Sequence, residues 1–333
     1  MVSRTKGEYG SGERAAFRNP DRPMNPITFQ PLYMPRVWGG RTLETVYHRK
    51  LPDDQPYGES WELTDRPGEQ SVVAGGAHAG KTLHELWTGH RDEVFGCGYL
   101  GERFPLLVKI LDARDDLSIQ VHPPADLAPD LGGEPKTEMW FIADAGPEAR
   151  LYVGLKDGTT KEGFGAAIEA GTVEDHVHAV KPVAGESIFI PSGRLHAIGA
   201  GLLIYEIQQN SDTTYRVFDW NRLGLDGAPR ELHVAESMAC IDFDDIEPGM
   251  DMPSGHTLAE CDHFKVDKIT LTTGEPIANP DPDRFSILAV VSGGLTDAEG
   301  CTHAPGQFLL VPRGCAALVA SDDTVVLQTT VPV

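Results

Sequence analysis

Short apolar segments separated by turn-forming residues dominate the chain. Six of them in the first two thirds predict β-strands, because they are rich in branched or aromatic residues and nearly all end at Pro, Gly, Asp or Asn. These segments are PLLVKIL (105–111), SIQVH (118–122), EMWFIA (138–143), RLYVGL (150–155), SIFIP (187–191) and LLIYEIQQ (202–209). With 36 glycines and 25 prolines in 333 residues, the pattern is typical of β-sandwiches and barrels rather than of alternating strands and helices.

Two segments have helical periodicity instead. Residues 82–96 begin with Thr82 three residues before Glu85, which is the spacing of a capping box, and apolar residues follow at helical intervals. Residues 160–180 predict one or two short helices, broken at Gly171. The chain is therefore predicted to be mainly β, with a few short helices.

A loss of periodicity near residues 240–254 divides the chain, since this stretch is rich in Asp, Pro and Gly. A second strand-rich block follows. Its GQFLLVPRG (306–314) echoes GESIFIPSG (185–193), which suggests two copies of one β-fold. We predict a polar N-terminal tail over residues 1–25, a first domain over residues 26–245 and a second domain over residues 255–333.

Composition narrows the classes of function. The chain has 28 Lys and Arg residues against 50 Asp and Glu residues, which gives a net charge of −22. This charge repels phosphate backbones and anionic lipids, so we expect neither a nucleic-acid nor a membrane partner. An anionic substrate would need a locally basic pocket.

The cysteines and the N-terminus indicate a cellular location. The five cysteines are scattered and form no Cys-x-x-Cys pair, which argues against a disulfide framework or a thiolate zinc site. No apolar run is long enough to span a membrane, and the N-terminal segment lacks the apolar core of a signal peptide. We therefore expect a cytoplasmic protein.

Four side chains are candidates for a metal site. Gln120 and His122 lie two residues apart in a predicted strand, so both project from the same face. Glu138 opens another strand, and His196 follows a Pro-Ser-Gly turn. This nitrogen and oxygen ligand set suits Zn²⁺, Fe²⁺, Mn²⁺ or Co²⁺. A lone strand histidine is more often a surface or hydrogen-bonded residue, so spacing alone leaves both interpretations open.

Charged residues also interrupt the apolar strands. Lys109 lies within LLVKIL, Lys136 lies two residues before Glu138, and Arg216 follows the strand that contains Glu206. An unpaired buried charge is costly, so these residues either line a pocket or face solvent, for example at a sheet edge. If the three cations converge on the metal site, they form an anion pocket in an acidic protein.

Taken together, these motifs resemble those of type I mannose-6-phosphate isomerases (phosphomannose isomerases) of the short bacterial form. The motifs are RVWGGRTL, GESWEL, LLVKILDARDDLSIQVHPP, EPKTEMWFIAD and GESIFIPSGRLHAIGAGLLIYEIQQNSDTTYRVFDWNR. The resemblance covers about residues 26–240 and is thin over 255–333. It implies a mainly β fold of two cupin (jelly-roll) barrels, with a few short helices in and around the first and no metal in the second.

The resemblance also assigns residues. It implies one divalent metal ion, most often zinc, with the ligands Gln120, His122, Glu138 and His196. It implies catalytic roles for Arg216, Glu206 and Lys136. It implies substrate-binding roles for Ser118, Lys109 and Arg216.

The reaction that the resemblance implies is the interconversion of mannose 6-phosphate and fructose 6-phosphate through a cis-enediol. Moving the proton needs an acid/base group and a way to stabilise enediolate charge. The sequence leaves that group open among Glu206, Lys136, the neighbours of His196 and a metal-bound water, and we rank Glu206 and Lys136 first. We expect a monomer or a weak homodimer with sugar phosphates as its partners.

Three alternatives compete with this interpretation. Two His and a carboxylate are also the ligand set of cupin-type Fe(II) oxygenases, although Gln120 and the three cations suit a phosphosugar better than dioxygen. A non-catalytic, sugar-phosphate-binding cupin would keep the pocket without turnover. An isomerase with a shifted phosphosugar preference is the alternative that the sequence excludes least.

Overall fold

A computed structural model describes residues 24–333 of the chain. Most of the predicted N-terminal tail, residues 1–25, lies outside this range. The strands are β1 (Phe29–Gln30), β2 (Leu32–Gly40), β3 (Tyr57–Leu63), β4 (Val72–Val73), β5 (Leu106–Ala113), β6 (Ile119–Val121), β7 (Glu138–Ala145), β8 (Leu151–Leu155), β9 (Val177–Val180), β10 (Ser187–Ile190), β11 (His196–Ile198), β12 (Leu202–Gln209), β13 (Tyr215–Phe218), β14 (Thr257–Glu260), β15 (Lys265–Leu271), β16 (Pro276–Ile277), β17 (Ser286–Ser292), β18 (Leu295–Thr296), β19 (Thr302–His303), β20 (Phe308–Val311), β21 (Leu318–Ala320) and β22 (Thr324–Thr330).

Helices are few and short, so the prediction of a mainly β fold is confirmed. They are α1 (Thr42–Tyr47), α2 (Leu83–Gly89), α3 (Arg91–Val94), α4 (Lys161–Ala170) and α5 (Val234–Cys240), with 3₁₀ turns at Gly76–His78 and Val173–His176. No helix in residues 24–333 is long and apolar enough to cross a membrane.

The two predicted helical segments are partly correct. The capping box at Thr82 is present: its Oγ1 accepts from the Glu85 amide at 3.1 Å, and Glu85 Oε2 accepts from the Thr82 amide at 2.7 Å. Residues 82–96 nevertheless form two helices, because α2 ends at Gly89 and α3 begins at Arg91. Over 160–180 only α4 is α-helical, and it ends at the left-handed Gly171, where φ is 72°. The prediction is wrong for 177–180, which pair with β8 as a strand.

Two antiparallel sheets form the N-terminal part of the molecule. One has the strand order β10-β7-β12-β5-β2-β3, and the other has the order β13-β6-β11-β8-β9. Apolar side chains fill the space between them, including the buried residues Trp140, Ile142 and Val153. The candidate ligands of the sequence analysis lie on β6, β7 and β11 or directly beside them.

The C-terminal part repeats this order. Its sheets run β20-β17-β22-β15-β14 and β16-β21-β18-β19, so β15 to β22 follow the arrangement of β5 to β12. The echoed segments contain β10 and β20, which are both edge strands. Their registers agree as well, because Ile190 pairs with Glu138 and Val311 pairs with Ser286. Ser286 therefore occupies the position of Glu138.

A shared apolar core joins the two parts. Phe285 packs against Phe95 and Phe104, with ring centroids 5.2 and 5.7 Å away, and Phe308 packs against Tyr205 at 5.2 Å. The division into domains at residues 245–255 stays a prediction, because this core contains residues from both sides of it.

Candidate active site

His122, Glu138 and His196 converge inside the N-terminal pair of sheets. His122 directly follows β6, Glu138 opens β7 and His196 opens β11, so three strand ends bring them together. Their potential ligand atoms all lie within 4.8 Å of one another. The Nε2 atoms of His122 and His196 are each 3.6 Å from an oxygen of Glu138. Nitrogen and carboxylate ligands at this spacing suit a divalent transition metal.

Both imidazoles are held in the neutral form that a metal requires. Nδ1 of His122 lies 2.9 Å from the carbonyl of Thr213, and Nδ1 of His196 lies 2.9 Å from that of Arg194. A proton on Nδ1 satisfies each carbonyl and leaves Nε2 free to bind a metal. Burial lowers the pKa of both rings, and that of His122 falls to about 3. Neither ring is therefore protonated at neutral pH.

Unsatisfied buried atoms indicate that this group is built for a ligand. Nε2 of His122 and Oε1 of Glu138 are buried without a hydrogen bond, and Oε2 of Glu138 has an ion pair with Lys136 but no hydrogen bond. Burial alone would raise the pKa of Glu138, but the positive charge of Lys136 holds it well below its usual range. Lys136 Nζ lies 3.1 Å from Glu138 Oε2. Because unpaired buried polar atoms are costly, the three residues fit a metal ion.

Gln120 links this group to Arg216. Its amide nitrogen lies 3.3 Å from His196 Nε2, and its oxygen accepts from Ser118 Oγ at 3.2 Å. An amide binds metals through its oxygen atom, and a 180° rotation of the Gln120 side-chain amide exchanges the positions of its oxygen and nitrogen. Arg216 Nε donates to Ser118 Oγ at 3.2 Å. A polar chain therefore connects the Arg216 guanidinium to His196.

A second buried charge cluster surrounds Lys109 on β5. Its Nζ lies 3.3 Å from Glu206, 3.8 Å from Glu59 and 3.9 Å from Asp212. Burial raises the pKa of Glu206, although Lys109 opposes this change. Burial would also raise the pKa of Glu59, but Lys109 and Arg36 lower it to about 2. Two neighbouring carboxylates are thus tuned in opposite directions, as is common at catalytic sites.

One cavity of about 550 Å³ connects the two groups. Its walls include the predicted residues Lys109, Ser118, Gln120, Lys136, His196, Glu206 and Arg216. His122 and Glu138 lie behind this wall, fully buried. The structure therefore brings all the predicted site residues together. Burial lowers the pKa of Arg216, as does the neighbouring charge of Arg230, so positive charge is concentrated on this side of the cavity.

The sequence analysis missed several charged residues of the cavity, among them Arg36, Glu59 and Arg230. Arg36 Nε and Nη2 donate to the Glu59 carboxylate at 2.9 and 3.2 Å. Arg230 lies on a loop and lines the same cavity. The signal that could have identified Glu59 is its place two residues before Trp61 in the motif GESWEL, and its carboxylate accepts from Trp61 Nε1 at 2.6 Å. No local pattern marks Arg230, because a Gly-rich loop brings it to the cavity.

This arrangement combines a candidate metal site, a carboxyl group with a raised pKa and several cations in one cavity. Such a combination can stabilise an oxyanion, transfer a proton and bind an anionic substrate.

Comparisons with known proteins identify the family. Residues 27–138 match the model of the family "Phosphomannose isomerase type I, catalytic domain". The chain is 38% identical over 307 residues to the mannose-6-phosphate isomerase ManA of Bacillus subtilis (strain 168), with 87% of this chain and 93% of ManA covered. It is 40% identical over 215 residues to a mannose-6-phosphate isomerase of Streptococcus mutans serotype c, with 64% of this chain and 66% of the relative covered.

A solved structure agrees with these matches. The crystal structure of the mannose 6-phosphate isomerase from Bacillus subtilis superposes with a TM-score of 0.83 at 32% identity, covering 92% of this chain and all of that one. The match extends through both pairs of sheets, beyond the residues covered by the family model. The chain belongs to the type I phosphomannose isomerase family.

Proposed function

We propose that this protein interconverts mannose 6-phosphate and fructose 6-phosphate as a metal-dependent aldose–ketose isomerase. The observation that carries the proposal is the buried group of His122, Glu138 and His196, with orphaned ligand atoms, beside a cavity rich in cations. Membership of the family supports the same substrate class. Isomerisation moves a proton between C2 and C1 of the open-chain sugar through a cis-enediol.

Gln120, His122, Glu138 and His196 are the proposed metal ligands, and Zn²⁺ is the proposed ion. Zinc favours imidazole and carboxylate ligands, which the site offers without any thiolate. When bound, a divalent ion would polarise the sugar oxygens and stabilise enediolate charge as a Lewis acid. Lys136 holds Glu138 ionised, and the carbonyls of Thr213 and Arg194 keep the two histidines in the required tautomer.

Glu206 and Lys136 are the proposed acid/base residues. Both line the cavity, and the raised pKa of Glu206 suits a group that must take up and return a proton. Trp140 Nε1 donates to Glu206 Oε1 at 3.0 Å, and Lys109 lies 3.3 Å from Oε2, so the carboxyl group is held in place. Arg216 is proposed to support the enediolate or the phosphate.

Ser118, Lys109 and Arg216 are the proposed substrate-binding residues. Arg216 and Ser118 are hydrogen-bonded to each other on one wall of the cavity, and Lys109 lies on another. Contacts remote from the reacting carbons supply binding energy that orients the carbonyl end. Location in the cytoplasm and a monomeric or weakly dimeric state remain predictions from the sequence.

A coupled assay of fructose 6-phosphate formed from mannose 6-phosphate tests the proposal. We expect turnover that a chelator abolishes and Zn²⁺ restores, and that His122→Ala and Arg216→Ala both remove. His263→Ala, far along the chain from these ligands, is the matched histidine control and should retain turnover.

Absence of turnover in metal-replete protein contradicts the proposal. Tight binding of the sugar phosphate without turnover would instead support a non-catalytic cupin. Oxygen consumption that depends on Fe²⁺ would support an oxygenase.

A further inference from the structure

The turn that precedes β11 contacts both histidines of the candidate metal site. It comprises residues 191–194, and the amide of Gly193 donates to the carbonyl of His122 at 2.9 Å. The carbonyl of Arg194 accepts from Nδ1 of His196 at 2.9 Å. Because one contact holds the backbone of His122 and the other orients the ring of His196, the position of this turn affects two metal ligands at once.

The side chain of Arg194 is fixed by an ion pair outside the cavity. Its Nε and Nη2 donate to Oδ2 and Oδ1 of Asp245 at 2.8 and 2.9 Å, and its Nη1 donates to the carbonyl of Phe189 at 2.7 Å. Each side chain of the ion pair is only 15% exposed. A two-point contact of this kind fixes the orientation of the guanidinium plane as well as its place. In the described part of the chain, the cavity walls include neither Arg194 nor Asp245, so the pair acts on the site only through other residues.

Asp245 lies on the segment between α5 and β14, which is itself held against the N-terminal sheets. Leu155 in β8 donates its amide to the carbonyl of Asp245 and accepts from the amide of Glu247, both at 2.9 Å. The amide of Asp242 donates to the carbonyl of Gly193 at 2.9 Å. The segment therefore contacts the metal-site turn directly and provides Asp245 as a fixed acceptor beside it.

The C-terminal part contains the same turn without this ion pair. In the alignment of the two echoed segments, Cys315 occupies the position of Arg194, and Ala317 occupies that of His196. The amides of Cys315 and Arg194 each donate at 3.1 Å to the carbonyl of the proline three residues earlier. The turn thus forms without an arginine where no histidine ligand follows it, which indicates that Arg194 serves the histidine rather than the turn.

We propose that Arg194, held by Asp245, is a positioning residue for the metal ligand His196. This inference rests on the proposed function, because it concerns the metal site named there. Without Asp245, the guanidinium of Arg194 keeps only a carbonyl acceptor, and the turn is free to shift together with the carbonyl that holds Nδ1 of His196. The other ring nitrogen, Nε2, lies 3.6 Å from Glu138 and then loses its fixed direction toward the other ligands. The pair therefore acts on metal affinity.

The zinc affinity of the purified protein is the direct test, measured by competition with a chromophoric chelator. We expect Asp245→Asn and Arg194→Gln each to raise the Kd for Zn²⁺ by about tenfold, since partners behind a metal ligand contribute about ten- to a hundredfold. The double variant should lose no more than either single variant, because both substitutions break the same ion pair. Arg194→Lys keeps the charge without the two-point contact and should recover part of the affinity. The visible absorption bands of the Co²⁺-loaded protein should shift in the same variants.

Glu62→Gln is the matched control. Glu62 accepts from Nη1 and Nη2 of Arg49 at 2.6 and 3.1 Å in a comparably buried two-point ion pair, and Arg49 also binds the carbonyl of Gly306. Its loss should lower the thermal stability of the metal-free protein and leave the Kd for Zn²⁺ within about threefold, because a substitution distant from the ligands affects folding and not the metal site.

These measurements need no turnover, which separates the inference from the proposed function. A wild type that binds zinc but fails to isomerise mannose 6-phosphate overturns the proposed function alone, and weaker zinc binding in Asp245→Asn and Arg194→Gln still supports the inference. A wild type that binds no zinc overturns both. The inference alone is overturned if these two variants bind zinc as tightly as the wild type, or if Glu62→Gln weakens binding equally.

Discussion

The two pairs of sheets carry different side chains at equivalent positions. Ser286 opens β17 as Glu138 opens β7. Two residues further along these strands, Trp140 pairs with Glu206 and Leu288 pairs with Gln328. Gln328 therefore occupies the position of Glu206. A charged pair in the N-terminal sheet is thus replaced by a neutral pair in the C-terminal sheet. The backbone arrangement is repeated, whereas the chemistry inside it is not.

Hydrogen bonding shows why this difference matters. In the C-terminal sheet, Ser286 Oγ donates to Asn279 Oδ1 at 2.6 Å, and Gln328 Nε2 donates to the carbonyl of Ala278 at 2.9 Å. In the N-terminal sheet, Oε1 of Glu138 lacks a hydrogen bond, and Oε2 has only its ion pair with Lys136. Buried polar atoms are normally hydrogen-bonded, as they are at this position of the C-terminal sheet. The unsatisfied atom in the N-terminal sheet therefore indicates a ligand site.

Replacing Glu138 with the residue at its equivalent position in the C-terminal sheet should have the largest effect on activity. Glu138→Ser gives β7 the residue that opens β17, and we expect kcat/KM for mannose 6-phosphate to fall at least about a thousandfold, since a Lewis acid is worth several kcal/mol. Steady-state kinetics and metal analysis of the purified variant measure the effect. Circular dichroism should show an unchanged fold, and retained activity in a metal-free variant contradicts the prediction.

The reverse exchange should damage stability instead of activity. Ser286→Glu buries a carboxylate, whereas the cation at the position of Lys136, Arg284, is 40% exposed and ion-paired with Asp281. We therefore expect the free energy of unfolding to fall by about 3 kcal/mol. Urea denaturation measures this loss, and turnover per folded molecule should stay unchanged. Ser286→Ala is the control, with an expected loss of about 1 kcal/mol. Equal losses in the two variants would show that burial of charge is not the cause.

Acid should weaken the cluster around Lys109 in a defined pH range. Lys109 and Arg36 lower the pKa of Glu59 to about 2 against the effect of burial, so its ionised form stabilises the fold above pH about 4.5. This stabilisation, about 3 kcal/mol, is lost as the pH falls from about 4.5 through about 2. The difference in unfolding free energy between wild type and Glu59→Gln should therefore shrink over that range, and a constant difference contradicts the assignment.

Glu206→Gln gives β12 the residue type found at the equivalent position of β22, which is Gln328. We expect kcat to fall about a hundredfold through loss of an acid/base group, and the free energy of unfolding to change by less than about 1 kcal/mol. The matched variant Gln328→Met should lose about 1 kcal/mol of stability and no activity. A kcat within threefold of wild type in Glu206→Gln would remove Glu206 from the acid/base assignment.

The strands that build the site were predictable because their pattern is local. LLIYEIQQ (202–209) coincides with β12, and the spacing of Gln120 and His122 follows from the two-residue period of a strand. Residues 177–180 were predicted as helix because an alternating VHAV segment directly follows a helical one, and only pairing with β8 decides its conformation. Tertiary contacts override propensity there.

The charged residues that line the cavity were also only partly predictable from local sequence. Lys109 could be identified because a buried lysine in an apolar strand is costly unless it is paired or lines a pocket. Its partners could not, because Glu59 reaches it from β3 and Asp212 from the segment after β12. Arg230 comes from a loop whose position depends on Asp219 and on two left-handed residues. Long-range geometry of this kind has no signature in a single sequence.

The amount of metal bound per chain tests the central contrast most directly. Purified protein loaded with Zn²⁺ and dialysed should contain one ion per chain by mass spectrometry, and His122→Ala and Glu138→Ser should contain almost none. Ser286→Ala should still contain one. Two ions in the wild type, or one ion retained in both ligand variants, would contradict the assignment of a single site to His122, Glu138 and His196.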